Sequence, residues 1–145
     1  MKSPRRNEFM NCLNNKLNQI MAPLSFLSTW LIRIGLGTAF IIHAYSKFPL
    51  PPEKLMTYFG FSEWLASFVA LSELLAGVVI ILGGFFNNAW GSILTRFAAL
   101  MIVVIMIFAF GIAHQDWFIT AKLFTSEQAF LFLIGCYFLI KGNEK

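Results

Sequence analysis

The feature of this sequence that most constrains its fold is a set of long apolar runs that contain almost no charge. About 20 apolar residues span a hydrocarbon core of roughly 30 Å. Four stretches have this character, at residues 26–46, 63–84, 91–113 and 124–140, although the last is short. Because a backbone in lipid must satisfy its hydrogen bonds within the segment, such runs form helices. The sequence therefore predicts an all-α membrane protein, a four-helix transmembrane bundle.

The overall composition supports this class of protein. The chain is 58% hydrophobic and only 12% charged, whereas soluble domains carry about 25% charged residues. A soluble fold of 145 residues has too little interior to cover so much apolar surface. The lipid bilayer is the solvent that this composition fits.

The first 23 residues differ from the rest of the chain. They are polar, which excludes the apolar core of a cleavable signal peptide, so the first span is expected to be an uncleaved anchor. From Phe9 onward, apolar residues recur at helical spacing, which predicts either an amphipathic helix at the cytoplasmic membrane interface or a short amphipathic turn exposed to water. We therefore divide the chain into an interfacial segment, 1–23, and a transmembrane domain, 24–145. The apolar face consists of Phe9, Leu13, Leu17, Ile20 and Leu24.

The positions of the basic residues predict the orientation. With the N-terminus in the cytoplasm, seven Lys and Arg residues lie on the inner side and three on the outer side. This excess follows the positive-inside rule and places the N- and C-termini in the cytoplasm. The basic residues are scattered around the membrane ends, so the net charge of +4 does not indicate a nucleic-acid partner.

Three charged residues interrupt the apolar runs, and we interpret them as one buried ionic pocket. Glu73 lies near the middle of its span, about 15 Å from either end by helical rise. Arg33 and Arg96 lie in the inner part of their spans. A charge in hydrocarbon is costly and marks either a structural ion cluster or a functional site. The functional interpretation is a pocket for an anion or a quinone head group, or a proton relay, while Arg96 alone can also extend to the interface.

A second polar cluster is expected at the outer end of the bundle. It contains His43 and Lys47 from the first span and His114 from the end of the third. Solvated interfacial residues are one interpretation, and a proton-carrying site is another. The histidines have no metal-ligand spacing, and Lys47 four residues after His43 opposes metal binding, so no metal site is predicted.

Glycines in the spans indicate close helix packing. Gly77 and Gly84 lie on the same side of the second span as Glu73, and small residues let helix backbones approach each other. Gly35 and Gly37 lie within the first span without a preceding strand, which favours helix packing over a nucleotide-binding loop.

Several motifs, taken in order, resemble the DoxX family of small four-helix membrane proteins from bacteria and archaea. They are Arg33-Ile-Gly35-Leu36-Gly37, Ile42-His43-Ala44-Tyr45-Ser46-Lys47-Phe48, Ala70-Leu-Ser-Glu73-Leu-Leu-Ala-Gly77 and Thr95-Arg96-Phe97-Ala98-Ala99. The resemblance implies a bacterial inner-membrane location and points to Arg33, His43, Lys47, Glu73 and Arg96. Some members belong to a thiosulfate:quinone oxidoreductase, and others are linked to redox-stress complexes or to peptide biosynthesis.

Three functions are consistent with these features. The first is a redox-associated subunit of a membrane oxidoreductase, in which the buried pocket binds a quinone or a small anion and the electrons come from a quinone or from a partner oxidoreductase. The second is a non-catalytic anchoring or assembly module for an oxidoreductase or biosynthetic partner, recruited by the amphipathic segment. The third is a carrier for a small solute, which requires a homo-oligomer because four helices are few for alternating access.

Overall fold

The computed structural model describes residues 4–113 and 120–143, and these residues form helices, turns and bends without any strand. The helical segments in chain order are α1 (Pro4–Met21), a 3-10 turn (Ala22–Leu24), α2 (Ser25–Tyr45), α3 (Glu53–Phe59), α4 (Glu63–Gly83), α5 (Ala89–Ala113), α6 (Ala121–Thr125) and α7 (Glu127–Lys141). The all-helical prediction is confirmed.

Within the described residues, three helical segments are long and apolar enough to cross a membrane. They are Asn7–Tyr45, which includes all of α2, and the helices Glu63–Gly83 and Ala89–Ala113. The predicted fourth span corresponds to α6 and α7, which are separated at Ser126. With 15 residues, α7 is about 22 Å long, which is short of the hydrocarbon thickness. The four-helix transmembrane bundle therefore stays a prediction.

Local sequence signals explain where several helices begin and end. Ser62 precedes α4 and its hydroxyl accepts a hydrogen bond from the Leu65 amide at 3.4 Å. Ser126 caps α7 in the same way through the Ala129 amide, also at 3.4 Å. Such caps satisfy amides that have no partner within the helix. Gly60 ends α3 with a left-handed φ of 67°, a conformation that glycine adopts without a steric cost.

The chain divides into two compact units, residues 1–31 and residues 32–145. In the first unit, the described side chains of α1 from Asn7 to Met21 are all exposed. They include the predicted apolar face, with Phe9 at 67% and Ile20 at 60% exposure. An exposed apolar face of this kind is typical of helices that lie against lipid or a partner.

In the second unit, the core is built by α4, α5 and α7 with the part of α2 that follows Leu31. α5 is central, since it packs against both α4 and α7. The large apolar side chains between these helices are buried, whereas many others of the same type face outward, as expected for helices whose outer solvent is lipid. The buried core residues are Leu36, Phe40, Ala76, Ile80, Ala98, Ala99, Ile102, Met106, Phe110, Leu131 and Phe138.

One element was not anticipated by the sequence analysis. The connection between the first two spans carries Pro49, Pro51 and Pro52, and it includes the short helix α3. Pro52 lies immediately before α3, and proline is well tolerated at the start of a helix because the missing amide would have no partner there. This short helix packs against α4.

Candidate functional site

Glu73 is buried on α4, and its carboxylate forms an ion pair with the ammonium group of Lys47. Lys47 lies in the turn after α2, and its long stem brings the charge to Glu73. The side chains are 9% exposed for Glu73 and 19% for Lys47. A charge that is removed from water needs compensating partners, and here each of the two residues supplies an opposite charge for the other.

A small cavity of about 150 Å³ lies directly beside this ion pair. Its polar lining comes from four side chains, while α2 and α5 supply the apolar remainder. The full lining is Phe40, His43, Lys47, Glu73, Met106, Ala109 and Gln128. A cavity of this volume has room for several water molecules, and the four polar side chains offer them hydrogen-bond partners. We call the four polar residues, His43, Lys47, Glu73 and Gln128, the Lys47–Glu73 site.

A second and larger cavity, an apolar groove of about 660 Å³, meets the same ion pair. Lys47, Ser72 and Glu73 are its polar lining residues, and the other residues that line it are apolar side chains of α3, α4, α5 and the Phe61 turn. This volume falls within the range of pockets for small molecules, about 300–1,000 Å³. The ion pair therefore forms the polar end of an apolar groove, an arrangement that suits a molecule with a polar head and an apolar tail.

His43 lies at the edge of the small cavity and pairs with Glu127, whose carboxylate is 3.3 Å from the imidazole Nε2. Both side chains are well exposed, at 44% for His43 and 68% for Glu127. This pair connects α2 to the first turn of α7. An exposed pair of this kind contributes little to stability, since water competes for both groups.

Arg33 is only 2% exposed, and it is held by uncharged groups at the end of the structure where α4 passes into α5. Its Nη1 donates to the Ile80 carbonyl at 2.6 Å and to the Thr95 hydroxyl at 3.0 Å. Its Nη2 donates to the Asn143 side-chain oxygen at 2.7 Å. The guanidinium carbon lies 4.5 Å from the centre of the Phe138 ring. The charge is thus stabilised by carbonyl dipoles and by an aromatic face.

Asn143 completes this arrangement from the residues that follow α7. Its amide nitrogen donates to the carbonyls of Gly83 at 2.6 Å and Phe86 at 3.1 Å. Its side-chain oxygen accepts from the Thr95 hydroxyl at 2.8 Å. We call Arg33, Thr95 and Asn143 the Arg33 network. It joins α2, the α4–α5 turn and the residue that follows Gly142 in one hydrogen-bonded unit.

The predicted buried pocket of Arg33, Glu73 and Arg96 is not assembled among the described residues. Glu73 pairs with Lys47, and Arg33 belongs to the Arg33 network. Arg96 donates from Nη2 to the Ile140 carbonyl at 3.2 Å, at the end of α7. The physical reason is the length of the Lys47 side chain. Its flexible stem carries the ammonium group along the helices, so Glu73 pairs with Lys47 and not with an arginine of the predicted pocket.

The residues of the predicted outer cluster also have neighbours other than those expected. His43 and Lys47 line one cavity, but together with Glu73, which the sequence analysis had assigned to the inner pocket. His114 lies outside the described residues. Within the described residues, no three His, Cys, Asp or Glu side chains are grouped in a way that would hold a metal ion.

The four glycines singled out for helix packing occupy different environments. A Cβ on Gly77 would lie 2.8 Å from the Gly37 carbonyl, so the helix backbones approach closely at this pair. A Cβ on Gly84 would lie 2.7 Å from the Arg33 side chain, so the absence of a side chain at this position leaves room for Arg33. Gly35 is exposed, and a Cβ there would have no other atom within 4 Å.

Several residues of these sites were missed by the sequence analysis. Thr95 stands in one of the family motifs but received no role there, and Asn143 stands in none of them. Both are neutral polar residues without a distinctive spacing. Gln128 follows the cap of α7 and enters the small cavity only because α7 packs on α5. Glu127 pairs with His43, and no pattern in the sequence indicates this pairing.

These features define a small helical membrane protein in which a buried ion pair lines an otherwise mostly apolar groove. A model of the DoxX family matches residues 28–115, which is more than half of the chain and includes Arg33, His43, Lys47, Glu73 and Arg96. The chain therefore belongs to the DoxX family. No curated protein and no solved structure was found to match it. Glu127, Gln128 and Asn143 lie beyond the matched region.

Proposed function

We propose that this protein is a quinone-linked subunit of a redox complex in the bacterial inner membrane. The observation that carries the proposal is the position of the Lys47–Glu73 ion pair at the polar end of the apolar groove. The quinone head group lies against the ion pair, and the apolar tail lies in the groove. This places the head-group site on Glu73 and Lys47, and the Arg33 network keeps a structural role.

The charge of the site favours an uncharged head group. Lys47 and Glu73 compensate each other, so an anionic ligand would have to displace Glu73 from Lys47 and leave a carboxylate without its partner in a poorly solvated place. An uncharged ligand avoids this cost. A quinone carbonyl accepts a hydrogen bond from the Lys47 ammonium, and a quinol hydroxyl donates one to the Glu73 carboxylate.

In this proposal, the chain binds and positions the quinone, and the electrons come from a partner oxidoreductase that docks on it. The N- and C-termini face the cytoplasm, in keeping with the excess of basic residues at that side. The Lys47–Glu73 site then faces the outer half of the membrane. Groove residues such as Phe68 and Phe108 are exposed to lipid, so a lipid-soluble quinone enters from the bilayer.

The test is a binding titration of the purified protein in mild detergent with a short-chain ubiquinone analogue. Glu73→Gln is expected to weaken binding about tenfold or more, which corresponds to a loss of about 1.4 kcal/mol. Glu63→Gln is the matched control, since Glu63 is an exposed carboxylate on the same helix. Absence of binding by the natural protein, or equal binding by Glu73→Gln, would reject the proposal.

A second titration examines the predicted preference for an uncharged head group. Oleate presents an apolar tail with a carboxylate, whereas the quinone analogue has a tail with carbonyl groups. We expect the quinone to bind more tightly than oleate at neutral pH. Tighter binding of oleate would indicate an anion site at Lys47 and contradict the assignment of the head group.

One observation favours a second function, a non-catalytic anchoring or assembly module. The apolar side chains of α1 are exposed, and Phe9, Leu13 and Leu17 recur on one face at helical spacing. In this alternative, α1 recruits the partner protein. A pull-down that compares the full chain with a chain lacking residues 1–20 tests it, and recovery of the same partner by both would count against it.

A further inference from the structure

Two cavities of different character meet at one carboxylate. The apolar groove and the small cavity share Lys47, Glu73 and Ala109 among their lining residues. The groove is otherwise lined by apolar side chains, apart from Ser72, and many of them are exposed. The small cavity adds His43 and Gln128, which are polar, and it does not share the exposed aromatic residues of the groove. Both cavities therefore reach Glu73, each with a different set of further lining residues.

We propose that the small cavity is a water-filled inlet that leads from the aqueous surface to the Glu73 carboxylate. Its mouth is marked by the His43–Glu127 pair, whose side chains are 44% and 68% exposed. Gln128 lies on the wall next to this pair, at the beginning of α7. The polar side chains provide donors and acceptors for ordered water, which an apolar cavity of the same size would lack.

The depth of the inlet follows from the helices that line it. Glu73 is the eleventh residue of α4, so it lies about 15 Å from the beginning of that helix. Met106, on α5, lies about 10 Å before the end of its helix at Ala113. Met106 is 8% exposed and lines the small cavity but not the groove. It is therefore a buried residue at which the presence of water can be measured.

The charged and titratable residues around Glu73 are consistent with this interpretation. In the described residues that line the small cavity, α2 and the following turn contribute His43 and Lys47, and α4 contributes Glu73 itself. α7 places Glu127 against His43, and α5 contributes the uncharged Met106 and Ala109. An inlet of this kind supplies the water that a head-group site needs for exchanging protons, and this use rests on the proposed quinone function.

Cysteine labelling distinguishes a water-filled inlet from an apolar void. Cys12 and Cys136 are first replaced by serine, and a single cysteine is then introduced by Met106→Cys or by Val104→Cys. Val104 lies on the same helix, lines the groove and is 41% exposed. A permanently charged methanethiosulfonate reagent reacts with thiolates, which form only where water is present.

We expect the charged reagent to label Met106→Cys about tenfold faster than Val104→Cys, although Val104 is the more exposed residue. A lipid-soluble maleimide is expected to label both. Gln128→Cys serves as a second probe near the mouth in case Met106→Cys does not fold, and it should also react with the charged reagent. Faster labelling at Val104, or no labelling at Met106 and Gln128 by the charged reagent, would overturn the inlet.

The same variants separate this inference from the proposed function. If the labelling pattern is found but the ubiquinone analogue does not bind, the inlet stands and the quinone proposal falls. If the analogue binds but Met106→Cys and Gln128→Cys do not react with the charged reagent, the groove is a ligand site without an inlet. Replacement of His43 by tryptophan at the mouth should slow the labelling of Met106→Cys, whereas Glu127→Gln should leave it nearly unchanged.

Discussion

The Arg33 network and the Lys47–Glu73 site both bury charge, but they do so in opposite ways. Arg33 is surrounded by fixed uncharged groups, namely two side chains, a carbonyl and an aromatic ring. Arg33 lines neither of the two cavities, whereas Lys47 and Glu73 line both. Burial of a charge therefore does not by itself indicate function. A cavity beside the charge that is lined by both polar and apolar side chains is the better indicator of function.

The largest effect on stability is expected from Arg33. Arg33→Met removes the donor to Ile80, Thr95 and Asn143 and leaves buried acceptors without it. Each unsatisfied buried group costs about 1–3 kcal/mol, so the unfolding free energy should fall by about 3 kcal/mol. Thermal unfolding in detergent measures the loss. A variant with unchanged stability would show that the network is not structural.

A somewhat smaller loss is expected at the contact between α2 and α4. In Gly77→Ala, the new Cβ would lie 2.8 Å from the Gly37 carbonyl and 3.0 Å from the Ile41 amide nitrogen, both backbone atoms. Overpacking of this kind costs about 1–3 kcal/mol. Gly35→Ala is the matched control, because nothing lies within 4 Å of its Cβ and alanine favours a helix by about 1 kcal/mol. Equal destabilisation by both variants would contradict the close contact.

The Lys47–Glu73 site should respond differently from the Arg33 network. Glu73→Gln leaves Lys47 without its partner, and we expect a loss of about 1 kcal/mol, reduced because Lys47 retains some contact with water. The double variant Lys47→Met with Glu73→Leu removes both charges and should recover most of that stability. It should not recover quinone binding. Recovery of binding by the double variant would show that the charges do not hold the head group.

The helices and the position of Glu73 follow from the sequence more directly than the partners of the buried charges do. The helices were predictable because apolar runs in lipid have no alternative to helical structure, and Glu73 was recognisable as the only charged residue between Trp64 and Gly84. The partner of Glu73 could not be recognised in the same way. The depth of each charge was calculated from the rise of the helix backbone, whereas Lys47 reaches Glu73 through its long side chain. Asn143 had no signal at all, since an uncharged residue near a chain end acquires its role only when the helices pack.

The smallest effect is expected at the His43–Glu127 pair, which lies at the exposed edge of the Lys47–Glu73 site. Glu127→Gln removes the carboxylate that faces His43 but keeps the size of the side chain. Both residues contact water, so the change in unfolding free energy should be below about 0.5 kcal/mol. Thermal unfolding of this variant beside Glu73→Gln provides the measurement. A loss as large as that of Glu73→Gln would mean that the pair helps to hold α7 against α2, and the distinction between an exposed edge and a buried ion pair would then fail.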